Sequence, residues 1–175
     1  RGNWTDVWGG NNKTLSIASL LGSGGLTIKS TSTIVKITGN CSYTGDTYVD
    51  NGTLELQGNI ASSTIIVKNG AKLTINGTAI TINNLTVETG GIVEVLPGKS
   101  LTINGTSNTN SGTIKLLSNA SGTATLIGNI EGNAEVQQYL TGNGRNWWYL
   151  ASPLSVASSS VFSGDQIGKY VEDYL

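Results

Sequence analysis

An all-β, parallel solenoid is the fold class this chain predicts, on three observations. The spacing Val-x-x-Gly-x-x-Leu-x-Ile-x-Gly occurs twice, at Val67 to Gly77 and at Val95 to Gly105, with a looser copy from Val87 to Val95 and a shorter one from Val49 to Leu56. The composition is that of turns and thin strands, with 24 Gly, 2 Pro, no Met and a single Phe in 175 residues. Short apolar alternations of period two recur along the chain, each bounded by Asn, Gly, Ser or Thr. Repeats this short cannot each bury a core, so each lends its apolar face to its neighbours, and the result is a stack.

Taken in order, Trp4 and Trp8 precede the first alternation and read as a cap over the open end of the stack. Strands are then expected at Leu26 to Ile28, Ile34 to Ile37, Thr47 to Val49, Leu54 to Leu56, Ile65 to Val67, Leu73 to Ile75, Ile80 to Ile82, Leu85 to Val87, Ile92 to Val95, Leu101 to Ile103 and Thr113 to Leu116. The copies beginning at Val49, Val67 and Val87 are spaced close to one coil apart, and the copy at Val95 is a partial turn. About three strands per coil fit a triangular coil, with parallel pairing placing like residues above like. Ile65, Val67, Leu73, Ile75, Leu85, Val87, Val93, Val95, Leu101 and Ile103 then face inward, and Thr74, Thr86, Glu94 and Thr102 face water. Gly70, Gly90 and Gly98 mark corners, where glycine reaches positive φ without steric cost. Asn51-Gly52, Asn69-Gly70, Asn76-Gly77 and Asn104-Gly105 are turn dipeptides of the same kind. Asn3, Asn40, Asn51, Asn76, Asn84, Asn104 and Asn119 head Asn-x-Ser/Thr sequons, which turn composition generates readily.

Charge and composition exclude several function classes. Ten basic and 11 acidic residues, scattered singly for a formal charge of -1, form no basic stripe for phosphates, so nucleic acid is not an expected partner. Cys41 is the only cysteine, so no intrachain disulfide forms, and it reads as a small core residue. The absence of His removes imidazole as base, ligand or triad member. No apolar run approaches the ~18 residues of a membrane span. The chain opens on Arg1 without an initiator Met, which reads as a piece of a longer protein.

The run from Gly22 to Gly58 resembles the passenger repeat of bacterial autotransporter and related β-helix surface proteins, through Tyr43-Thr44-Gly45, Thr47, Val49 and Gly52-Thr53-Leu54. The resemblance implies one coil of a right-handed parallel β-helix without catalytic residues; Cys41 and Thr31 to Thr33 depart from the pattern. From Asn133 to Ser155 the chain is similar to a module that follows β-helical regions in secreted Bacteroidetes proteins, through Val136, Tyr139, Trp147, Trp148, Ser152 and Pro153. This second resemblance implies export by the type IX route, with a sorting signal beyond Leu175. Composition also shifts there, so the expected organisation is a capped β-helix over 1–130 and, over 131–175, the start of a second module, a β-sandwich or a C-terminal cap.

The function this supports is a non-catalytic stalk or adhesin scaffold, extracellular or on the outer cell surface, with no cofactor and no metal. Its partners would be host or environmental glycans, another surface protein, or the export machinery acting on regions outside this chain. The alternative is carbohydrate recognition, with Trp147, Trp148 and Tyr149 stacking on sugar rings; the competing reading of these three is core packing. A polysaccharide lyase or hydrolase ranks third, because the nearest acidic pairs, Asp46 with Asp50, Glu131 with Glu135 and Glu172 with Asp173, read as solvated turn residues. A further option, an ordered array of Thr27, Thr74, Thr81, Thr86 and Thr102 against a crystalline surface, needs Thr-x-Thr pairs in register, and only Thr31 to Thr33 and Thr123 to Thr125 supply such pairs.

Overall fold

A computed structural model describes residues 13–132 and 134–141 together with the backbone of Trp4–Thr5. The chain divides into two compact units, Arg1–Tyr139 and Leu140–Leu175. Of the second unit only Leu140 and Thr141 are described, and Trp8, Trp147, Trp148, Tyr149 and Phe162 lie outside the described residues. Among the described residues there is no helix.

Unit 1 is a parallel β-solenoid. The first coil holds β1 (Trp4–Thr5) and β2 (Thr14–Ile17), the second β3 (Leu26–Ile28) and β4 (Ile34–Ile37), and the third β5 (Thr47–Val49) and β6 (Thr53–Leu56). The fourth holds β7 (Ile65–Val67), β8 (Lys72–Ile75) and β9 (Ala79–Ile82), and the fifth β10 (Leu85–Val87), β11 (Ile92–Val95) and β12 (Ser100–Ile103). The sixth holds β13 (Thr109–Asn110), β14 (Thr113–Leu116), a hairpin of β15 (Ser118–Asn119) and β16 (Gly122–Thr123), and β17 (Thr125–Ile127); β18 (Ala134–Val136) begins a seventh. All eleven strands expected from the alternation are present.

Three faces follow from the pairing. Face one runs β1-β3-β5-β7-β10-β13, face two β2-β4-β6-β8-β11-β14-β18, and face three β9-β12-β17. Every rung is parallel except the β15–β16 hairpin. On face two the Cα partners step by 19 to 21 residues, as in Thr14↔Ile34, Ile34↔Thr53, Ile92↔Lys72 and Ile92↔Thr113. The boundary expected near residue 131 falls between β17 and β18, and β18 still pairs with β14.

The register stacks aliphatics on aliphatics inside. Val35, Leu54, Leu73, Val93 and Ile114 form one inward column, and all ten residues expected to point inward are buried. Burial of each such side chain contributes about 1.5 to 3 kcal/mol relative to exposure. Cys41 is buried among them. Thr74, Thr86, Glu94 and Thr102 point outward and are half-buried by neighbouring rows.

The two full copies of the repeated spacing encode a corner and not a coil. Val67 to Gly77 joins face one to face two, whereas Val95 to Gly105 joins face two to face three. In both the chain turns at a left-handed glycine, Gly70 at φ 76° and Gly98 at φ 70°. Gly77 and Gly105 hold no positive φ; at Gly77 a Cβ would lie 2.7 Å from the Gln57 carbonyl oxygen of the coil below, so close packing between coils selects glycine there.

Candidate functional site

Chemistry-bearing side chains can act only from the outer rows, because the interior is filled. The central outward row of face two reads Ser16, Lys36, Glu55, Thr74, Glu94, Lys115 and Glu135, one residue per coil. Its charges are matched along the stack: Lys36 Nζ lies 3.2 Å from Glu55 Oε2, Lys115 Nζ 3.4 Å from Glu135 Oε2, and Lys72, one row aside, 2.5 Å from Glu94 Oε2. Glu55 is the most enclosed of these acids. Its Oε1 accepts hydrogen bonds from Gln57 Nε2 at 2.7 Å and Asn76 Nδ2 at 2.8 Å, so one carboxylate ties three successive coils together. Burial pushes its pKa up, but the amides of Asn76 and Gln57 and the Lys36 ammonium outweigh that and hold it below the ordinary carboxylate value.

Face one carries the other cluster. Its outward row is Thr27, Tyr48, Ile66, Thr86 and Thr109. Tyr48 is an exposed aromatic on this sheet, with its Oη donating to Asp46 Oδ2 at 3.4 Å and Lys68 Nζ 5.5 Å from the ring centroid. Lys68 also lies 2.7 Å from Asp50 Oδ1, and that hydrogen bond raises the lysine pKa. Asp46 directly precedes β5 and Asp50 directly follows it, so the strand holds the two carboxylates at its opposite ends, on the order of 13 Å apart at the Cα atoms. They therefore do not form a dyad.

The outward threonines do not form one array. Thr27 and Thr86 share the face-one row but are separated by Tyr48 and Ile66; Thr74 stands on face two; Thr81 and Thr102 are adjacent on face three. Of the Thr-x-Thr pairs, Thr33 is buried in a turn with its Oγ1 donating to Ser30 Oγ at 2.8 Å, and Thr123 belongs to the β15–β16 hairpin.

Inside the third and fourth coils lies a polar cluster. Tyr43 Oη is 2.6 Å from Thr47 Oγ1, which is 2.7 Å from Ser63 Oγ, and Ser63 donates on to the Gly45 carbonyl at 2.9 Å. All three hydroxyls are buried and partnered, so the cluster is structural. Cys41 Sγ accepts from Leu20 N at 3.2 Å, and burial pushes its thiol pKa up, away from a reactive thiolate.

The residues expected to stack on sugars, Trp147, Trp148 and Tyr149, lie outside the described residues. Among the described residues no group of three or more His, Cys, Asp or Glu could hold a metal ion. No helix of the described chain is long and apolar enough to cross a membrane. Sequence reasoning passed over Tyr48, although its place between Thr47 and Val49 in a period-two strand already points it outward. It also passed over the Glu55 cluster, which needs the register of three coils to be seen. The chain matches no protein-family description, no curated protein and no solved structure.

Proposed function

We propose that this chain is a non-catalytic scaffold, the stalk of a secreted or cell-surface bacterial protein. The observation that carries this reading is the self-matching of its outer charges: Lys36 with Glu55, Lys68 with Asp50, Lys72 with Glu94 and Lys115 with Glu135. Charged groups matched along the stack fix coil register and leave little field to steer a charged partner. The likeness of Gly22 to Gly58 to passenger repeats supports the same reading, and the separation of Asp46 from Asp50 weighs against acid–base catalysis.

A second reading, carbohydrate recognition, is favoured by one observation, the exposed ring of Tyr48 on face one. A glycan array probed with the chain separates the two. A scaffold shows no preference; a preference abolished by Tyr48→Ala, or by Trp147→Ala with Trp148→Ala, overturns the scaffold reading and places the binding surface.

A further inference from the structure

Of the five Asn-Gly dipeptides, Asn143-Gly144 lies outside the described residues; the other four share one sequence but not one environment. Gly70, Gly77 and Gly105 each donate their backbone N–H into the stack, to Gly90 O at 3.1 Å, Leu56 O at 2.9 Å and Asn83 O at 2.7 Å. The Gly52 N–H donates to no acceptor among the described residues. Asn76 gives its side-chain amide to Glu55 Oε1 and Asn69 is packed against Gly90 of the next coil, but among the described residues the side chains of Asn51, Asn69 and Asn104 alike make no hydrogen bond, so it is the backbone donor of Gly52 that sets Asn51 apart. Gly52 is held at φ 70° by the corner between β5 and β6, with its own carbonyl accepting from Lys72 N at 2.9 Å.

We infer that Asn51 is a site of spontaneous covalent modification, the point at which this stack deamidates first. The Gly52 amide nitrogen gives up its proton and attacks Asn51 Cγ; the new N–Cγ bond closes a five-membered imide as the Cγ–Nδ2 bond breaks and ammonia leaves, taking up that proton. Water then opens the imide at either carbonyl, to an aspartyl or an isoaspartyl linkage, so the net reaction consumes one water and releases one ammonia. Glycine has no Cβ to hinder the attack. At the other three sites the attacking nitrogen is tied into a coil-to-coil hydrogen bond that must open first, and local opening of a stacked ladder is rare. The product adds a negative charge next to Asp50, and its isoaspartyl form lengthens the corner that sets the register of β6 on β8.

Trypsin cleavage after Lys36, Lys68, Lys72, Lys99 and Lys115 places the four Asn-Gly pairs of the stack on separate peptides, 37–68, 69–72, 73–99 and 100–115, apart from Asn143-Gly144 on 116–145. The folded chain is held at mildly alkaline pH, and the mass gain that accompanies replacement of NH2 by OH is followed on each peptide, with a parallel sample in denaturant. The expected result is modification of 37–68 several-fold faster than of the other three in the folded chain, with the preference lost in denaturant. Asn51→Gln should abolish the signal on 37–68. A different peptide leading, no modification of the folded chain, the same ranking in denaturant, or a signal on 37–68 that survives Asn51→Gln would each overturn the assignment.

Discussion

Thr47 on one coil and Ser63 on the next turn their hydroxyls toward each other inside the stack, 2.7 Å apart, and the Tyr43 hydroxyl completes the chain 2.6 Å from Thr47. Burial pushes the Tyr43 phenol up to about 12, against the lowering effect of the Thr47 and Ser63 hydroxyls. An unfolded tyrosine ionises near pH 10. Between that value and the folded one the unfolded chain releases a proton that the folded chain keeps, so stability falls as pH rises through this window, by roughly 2 to 3 kcal/mol. Tyr43→Phe removes this alkaline slope while costing about 1 kcal/mol at neutral pH for the lost hydrogen bond. Denaturant melts at a series of pH values, wild type against variant, measure both; an unchanged alkaline slope contradicts the buried assignment.

At acid pH the controlling group is Glu55. Its folded pKa lies below its ordinary value, so its contribution is fully present above the unfolded pKa, near 4.3, and is lost as pH falls through the lower folded value. Glu55→Gln should flatten the acid limb of the stability profile and leave the alkaline limb unchanged. Because Glu55 also holds Asn76 and Lys36, on the coils either side, the variant should lower stability at neutral pH by about 1 to 3 kcal/mol. Equal acid limbs in the two proteins would show that the carboxylate is not the staple described.

Leu73 and Thr74 are neighbours in β8 with opposite fates. Leu73 is fully buried between Leu54 and Val93, and Thr74 stands outward between Glu55 and Glu94. Leu73→Lys should cost about 3 to 5 kcal/mol, because the ammonium has no partner among stacked aliphatics. Thr74→Lys should be neutral or slightly stabilising, because the register brings two carboxylates beside it. Thermal melts of the two variants test the assignment of faces, and equal shifts would reverse it.

Strand positions and faces were legible because stacking demands aliphatics with period two, and Leu54, Leu73 and Val93 supply them without a break. Where packing relaxes that demand, legibility fails. β13 was missed because Asn110 occupies the inward place held by Val49, Val67 and Val87 on the coils below. Beyond Leu117 the repeat is hard to see because the β15–β16 hairpin is inserted at a corner, stretching the step from Ser100 to Thr125 to 25 residues against 21 for Ala79 to Ser100, although face two keeps its step of 20 from Ile114 to Ala134. Tyr43 drew notice for its sequence neighbours, yet its buried hydroxyl chain depends on Ser63, a coil away, which no local pattern joins to it. The Glu55 cluster is hidden for the same reason: Lys36, Glu55 and Asn76 meet only once the register is known.

The register of the stack can be measured directly with a ruler along face two. Ser16, Thr74, Glu94, Lys115 and Glu135 occupy one outward row, Thr74 three coils from Ser16 and Glu135 six. With Cys41→Ser, spin labels on cysteines replacing Ser16 and each of the others in turn give distances by pulsed dipolar spectroscopy. The solenoid predicts backbone separations rising by one strand spacing per coil, to about 14, 19, 24 and 29 Å. Distances that fail to rise in that order, or a Ser16 to Glu135 distance no longer than Ser16 to Thr74, would contradict the stack.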